Sequence, residues 1–171
     1  MKFLLPLYII FFTSLLILSC ASNNKESSGY EIKNGLIYKT GSSLPFTGTE
    51  KVIVQNKTKE YEVVNGKKQG SFKISGENGN PVMIGTIVNN KNEGLWRYYY
   101  VDGKIESEGY FKDDKPDGKW QWFYENGRLK EEGYYTGGTS CGEWKQFGKN
   151  GKLISTNKYE AGKEVIKKLL D

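Results

Sequence analysis

Between residues 68 and 163 large apolar side chains tend to fall on alternate positions, with polar residues between them. Trp96, Tyr98 and Tyr100 lie two apart, as do Trp120, Trp122 and Tyr124. A period of two is the mark of a β-strand with unlike faces. The pattern also recurs. A Gly, any residue and an aromatic stand at Gly70-Ser71-Phe72, Gly94-Leu95-Trp96, Gly118-Lys119-Trp120 and Gly142-Glu143-Trp144, a step of 24 residues each time. Asn78-Gly79, Asp102-Gly103, Asn126-Gly127 and Asn150-Gly151 keep the same step. So do Gly85, Gly109 and Gly133, with Asn157 breaking the series, and Ile87, Phe111, Tyr135 and Tyr159.

Asn-Gly and Asp-Gly favour a two-residue type I′ hairpin turn, so each unit is expected to be one β-hairpin followed by a polar connection. Counting outward from Asp102-Gly103 sets Trp96 opposite Gly109. The same count sets Trp120 opposite Gly133, Phe72 opposite Gly85 and Trp144 opposite Asn157. A large ring beside a cross-strand Gly fills missing volume, which supports the register. Alternation then gathers Phe72, Ile74, Met83, Ile87, Trp96, Tyr98, Tyr100, Ile105, Phe111, Trp120, Trp122, Tyr124, Leu129, Tyr135, Trp144, Leu153 and Tyr159 on one face. The other face is more polar, yet carries Tyr99, Tyr110, Phe123, Tyr134 and Phe147.

The expected fold is therefore all-β: an elongated antiparallel meander of 24-residue hairpin repeats. Residues 68–163 are the four regular repeats, and 30–67 a degenerate N-terminal start and cap. Val165, Ile166, Leu169 and Leu170 fall at helical spacing, so 164–171 is expected to be a short helix capping the last open edge.

Upstream, Lys2 and the apolar stretch Phe3 to Leu18 predict an export signal over residues 1–19. Leu16-Ile17-Leu18-Ser19-Cys20 resembles the lipobox of bacterial lipoproteins, with Ile17 where Leu is usual. The resemblance implies cleavage before Cys20 and lipid on its thiol. Residues 20–29 are polar and small, the composition of a flexible tether. Localisation is then the bacterial cell envelope, at the outer membrane if the host has two membranes. After cleavage 24 basic residues face 20 acidic ones. They are scattered, which argues against a nucleic-acid footprint. With Cys20 acylated, Cys141 has no partner within the chain and reads as an incidental thiol. The chain has no histidine, which excludes ordinary Ser-His-Asp triads and His-bearing metal sites.

Gly-x-Trp-x-x-Tyr, then Asn/Asp-Gly-Lys/Arg, then Gly-x-Tyr/Phe resembles the bacterial variant of the MORN repeat. Trp96, Tyr99, Asp102-Gly103-Lys104, Gly109, Phe111, Trp120, Phe123, Asn126-Gly127-Arg128, Gly133 and Tyr135 carry it. It extends over roughly residues 60–163. It implies an elongated sheet with a groove and no catalytic residues; relatives are labelled predicted antitoxins or membrane-associated scaffolds.

No catalytic residue, metal or cofactor is assigned. Asp113, Asp114 and Asp117 read as a solvated turn, lacking the regular oxygen ligands of a calcium loop. The count places Glu106 opposite Tyr99 and Glu108 opposite Arg97, so cross-strand pairing accounts for part of the Glu106, Glu108, Glu131 and Glu132 pattern. The expected function is a non-enzymatic, lipid-anchored interaction module with a protein partner. Tyr99, Phe123 and Tyr134 are the expected contacts. The alternatives are an antitoxin-like or immunity-type inhibitor and a wall-glycan or membrane-lipid binder.

Overall fold

A computed structural model describes residues 29–170. The export segment and Cys20 lie outside the described residues. These form thirteen strands: β1 Tyr30–Lys33, β2 Leu36–Lys39, β3 Gly48–Val54, β4 Lys57–Val64, β5 Lys67–Ser75, β6 Pro81–Val88, β7 Lys91–Tyr99, β8 Ile105–Lys112, β9 Lys115–Phe123, β10 Leu129–Thr136, β11 Thr139–Phe147, β12 Leu153–Glu160 and β13 Lys163–Leu169. β3 to β13 make one antiparallel sheet of eleven strands in chain order, and β1 and β2 form a separate hairpin. That hairpin docks at the β4–β5 turn, where Ile37 N donates to Gly66 O at 2.8 Å. Ile37, Phe46, Tyr61, Val63 and Phe72 are buried together there.

The expected register holds: Phe72 pairs with Gly85, Trp96 with Gly109, Trp120 with Gly133 and Trp144 with Asn157. The turn that produces it is not the expected one. At Asp102-Gly103 only the glycine has positive φ, at 86°. Gly103 N donates to Tyr100 O at 2.9 Å, and Tyr100 N donates to Lys104 O at 2.8 Å. This is a three-residue loop, Val101 to Gly103, built as a type I turn plus a left-handed glycine. Asp102 Oδ1 accepts from Lys104 N at 3.0 Å, which explains the Asx residue before the glycine. One extra loop residue shifts the nearest pair, so Tyr99 faces Ile105 rather than Glu106. The ladder then skips Glu106 as a bulge and regains the counted register at Tyr98 and Ser107. Two departures cancel.

The type I′ geometry lies at the opposite ends of the strands. Asn89-Asn90, Asp113-Asp114, Gly137-Gly138 and Ala161-Gly162 all have both φ values positive. The first three are latched by a side chain of the repeat before them. Asn89 N donates to Gln69 Oε1 at 3.0 Å, Asp113 N to Glu93 Oε2 at 2.9 Å and Gly137 N to Asp117 Oδ1 at 2.9 Å. Cys141 holds the fourth such position with no comparable acceptor. Its Sγ lies 3.2 Å from Thr136 Oγ1. Glu93→Ala is expected to cost about 1 kcal/mol, and Cys141→Asp to add a similar amount by latching Ala161 N. Urea midpoints moving in opposite directions would confirm both, and a neutral Glu93→Ala would remove the latch.

The C-terminal helix is corrected. Lys163–Leu169 is a strand, with Asn157 paired to Lys167 and Ser155 to Leu169. Ala161-Gly162 stands in phase with Gly137-Gly138 and turns the chain back onto the sheet. Val165, Ile166 and Leu169 are thereby left exposed instead of forming a helix's buried face.

Candidate interaction face

Trp96, Trp120 and Trp144 are buried along one row of the sheet, which Tyr61 and Phe72 begin. Each indole lies over the glycine of the strand before it, and not over the residue counted as its hairpin partner. A Cβ on Gly109 would stand 2.1 Å from Trp120, one on Gly85 2.2 Å from Trp96 and one on Gly133 2.1 Å from Trp144. Trp120 Nε1 donates to Tyr110 O at 3.0 Å and Trp96 Nε1 to Thr86 O at 3.2 Å, fixing the indoles across the strand gap. Repeat is thus locked to repeat. Asn157 ends the series, and its Oδ1 is buried without a hydrogen-bond partner.

Two further rows run beside the indoles. In one, Phe111, Tyr135 and Tyr159 stand edge-on to them: Phe111 meets Trp120 at 5.2 Å and 83°, Tyr135 meets Trp144 at 5.1 Å and 83°, and Tyr159 meets Trp144 at 5.5 Å and 62°. In the other, Tyr98, Ser107, Trp122, Glu131, Gln146 and Ser155 are neighbours across six strands. Trp122 lies nearly parallel to Trp120 and Trp144, at 31° and 29°. Gln146 Nε2 donates to Glu131 Oε1 at 3.3 Å, and Ser155 Oγ donates to Gln146 Oε1 at 3.1 Å. Away from the β1–β2 hairpin no second sheet covers this face among the described residues. The result is a trough with an indole floor, one wall of upright rings and one rim that mixes aromatic and polar groups.

The opposite face carries cross-strand charge pairs. Arg97 Nε lies 2.9 Å from Glu108, as counted, and Lys119 Nζ lies 2.9 Å from Glu132. Glu131 and Glu132 point to opposite faces, so the acidic residues do not converge. The carboxylates of the Asp113 turn are used locally: Asp113 pairs with Lys91 at 2.8 Å, and Asp114 Oδ1 accepts from Asn92 N at 2.7 Å. Lys91 holds the Asp113 carboxyl below its usual range. No group of three or more His, Cys, Asp or Glu is placed to hold a metal ion among the described residues.

The expected contacts Tyr99, Phe123 and Tyr134 do not form one patch. Tyr99 and Phe123 sit half-buried beside the three-residue loops, opposite Ile105 and Leu129. Tyr134 is exposed near the other ends of the strands, opposite Lys119 and Cys141. Sequence reasoning also missed two side chains that tie repeats together, although their 24-residue step was visible. Tyr100 Oη donates to Phe123 O at 2.6 Å, and Tyr124 Oη to Phe147 O at 2.8 Å.

At the N-terminal end of the trough Tyr61 donates its phenolic proton to the buried Glu50 carboxyl. The ammonium groups of Lys59 and Lys68 lie 5.2 and 4.9 Å from the Tyr61 ring centre. Burial, then the bond and charge of Glu50, push the Tyr61 phenol well above its ordinary value of about 10. Because the folded value is the higher one, this contribution is complete below pH ~10 and is lost as pH rises through the folded value. In an alkaline titration followed by phenolate absorbance, the last amplitude should appear only as the sheet unfolds, and Tyr61→Phe should remove it. Full ionisation near pH 10 in the folded protein would refute this.

The model of the MORN repeat variant matches residues 92–113, 116–136 and 140–161. That is less of the chain than the motifs alone suggest, since β5 and β6 lie outside the match despite pairing Phe72 with Gly85 in the same way. No curated protein matches. Among solved structures, a mutant of S. aureus TarM with fondaparinux, alpha-GlcNAc-glycerol and UDP overlaps with a TM-score of 0.36 at 12% identity. A second TarM structure overlaps at 0.35 and 12%. Each overlap covers 68% of this chain and 20% of the TarM chain, so this chain spans about a fifth of that protein's length. Overlap at that score carries no argument about fold or activity. The three hairpins from β7 to β12 are each similar to the MORN repeat variant, one hairpin to each match.

Proposed function

We propose that this chain is a non-enzymatic interaction module, held at a bacterial envelope by lipid on Cys20, that binds a protein partner along the aromatic trough. One observation carries the reading: a continuous set of rings lies on a sheet face with no covering layer among the described residues. The standing rings of this face are half-buried and its indoles buried, and aromatic residues of this kind dominate binding energy at interfaces. The trough replaces Tyr99, Phe123 and Tyr134 as the contact surface, because those three residues are separated.

A glycan is the second reading. It is favoured by the run Trp122, Glu131, Gln146 and Ser155, which sets a flat ring beside hydrogen-bonded polar groups.

In-cell photocrosslinking separates the readings. A photoreactive phenylalanine analogue at Tyr98 reports on the trough, and one at Tyr110 reports on the other face. A single protein adduct in high yield from position 98 alone supports the proposal. An adduct from position 110 alone moves the site to the polar face, and wall-glycan adducts from position 98 favour the second reading. The anchor has its own test: Cys20→Ser should abolish fatty-acid labelling and release the chain from membranes.

A further inference from the structure

The three-residue loops bring two tyrosines to one end of the sheet. Tyr100 and Tyr124 hold the same place in successive repeats, and Gly76 and Gly148 hold it in the flanking ones. Both rings are half-buried, and each hydroxyl is fixed on a carbonyl of the next repeat. A cleft of about 430 Å³ is lined by Tyr100, Tyr124, Glu125, Asn126, Lys130 and Lys149. Pockets for small ligands fall at about 300–1,000 Å³.

The two tyrosines differ in the charge around them. Four positions recur beside each ring: two in its own loop, the residue skipped at the bulge, and one in the next loop. Beside Tyr100 they are Asp102, Lys104, Glu106 and Glu125, three carboxylates and one ammonium. Beside Tyr124 they are Asn126, Arg128, Lys130 and Lys149, three cations and no carboxylate. At Gly76 the equivalent Asn78, Asn80, Val82 and Val101 are all uncharged. The polarity therefore belongs to this cleft and not to the repeat.

The geometry agrees. Lys130 and Lys149 hold their ammonium groups 5.9 and 6.0 Å from the Tyr124 ring centre. Burial, then Glu106, Glu125 and Asp102, push the Tyr100 phenol above its ordinary value. Lys104 pairs with Asp102 at 2.7 Å. Glu106, Glu125, Arg128, Lys130 and Lys149 form no ion pair among the described residues.

We infer that the cleft is a second binding site, apart from the trough's partner, for a short peptide-like zwitterion. Its ammonium sits with Glu106 and Glu125 beside Tyr100. Its carboxylate sits with Arg128, Lys130 and Lys149 beside Tyr124, and the backbone between crosses the two rings. The charge contrast selects the class of ligand and its direction. The step between the rings sets only its length: two strand spacings, about 9.4–9.8 Å, which an extended chain covers with about three residues.

The test titrates the full-length lipidated chain in detergent micelles with tri-alanine, followed by calorimetry. Free tri-alanine should bind at least tenfold more tightly than its N-acetylated or C-amidated forms, and more tightly than di-alanine. Glu106→Gln with Glu125→Gln should weaken the free peptide at least tenfold and leave the N-acetylated one unaffected. Lys130→Gln with Lys149→Gln should weaken the free peptide as much and leave the C-amidated one unaffected. All four residues are exposed, so the fold is retained, and an unchanged urea midpoint checks it.

No binding of tri-alanine, or equal binding of free and blocked peptides, overturns the inference. So do losses in the Gln variants that are the same for free and blocked peptides. A dimer seen by sedimentation and dissolved by either Gln pair also overturns it, because a second copy turned end for end would then be the occupant. The protein-binding reading of the trough stands or falls separately, on the Tyr98 crosslink.

Discussion

Gly109→Ala should destabilise the protein by roughly 3 kcal/mol, a large loss for one added methyl group and the upper end of ordinary overpacking costs. The methyl would stand 2.1 Å from the Trp120 ring, so the indole must move or the strands must part. The ring has little room to yield, because Phe111 is 5.2 Å away on one side and Trp122 5.8 Å on another. Its Nε1 bond to Tyr110 O would be lost with the movement. Gly127→Ala supplies the contrast. Nothing stands within 4 Å there, and only its φ of +82° resists a side chain, at a cost of about 1 kcal/mol. Urea unfolding of both variants measures the difference. Equal losses would show that backbone conformation, and not the indole, makes Gly109 necessary. Adding Trp120→Phe to Gly109→Ala should recover part of the loss in a double-mutant cycle.

Trp120→Ala should cost about 4 kcal/mol, as expected for truncating a buried aromatic, and should change the form of the transition. Trp120 meets Tyr98 and Phe111 on strands to one side of its own, Tyr135 on the other side and Trp122 along its own strand. A repeat array is stabilised by contacts between neighbours, so one weak interface can uncouple its two sides. Two urea transitions are therefore expected where the parent shows one, each with a smaller dependence on denaturant. Trp96 and Trp144 lie on opposite sides of the break. Replacing one or the other by Phe assigns each transition to its side. A single transition with unchanged slope would mean that coupling passes through the backbone ladder instead.

How much of this was legible in the sequence depended on which signal was trusted. The 24-residue step fixed the hairpins and the pairing of Trp96 with Gly109, although the turn type was wrong. Register survived because the added loop residue and the skipped Glu106 offset each other, and composition does not display that pairing of defects. The C-terminal segment failed for the opposite reason. Val165, Ile166 and Leu169 satisfy a helical spacing locally, while Ala161-Gly162 continues the phase of the between-repeat turns. A period sustained over four units outweighs a match over seven residues. The trough was legible as an aromatic face, but which glycines the indoles cover was not. In sequence Gly94, Gly118 and Gly142 look the same as Gly85, Gly109 and Gly133, and only the direction of the indoles separates the two sets. Tyr99, Phe123 and Tyr134 were grouped by face alone, which says nothing of position along the strands.

Every pairing in the large sheet joins strands consecutive in the chain. Such a fold has low contact order, and each step closes only a short loop. A strand needs nothing from residues not yet delivered, because its template is the edge laid down just before it. A chain emerging amino end first from a narrow passage can therefore crystallise onto itself hairpin by hairpin. Backward slippage at any moment is opposed by the strands already placed. Assembly of this kind needs no collapsed intermediate, and the segment at risk is only the newest strand.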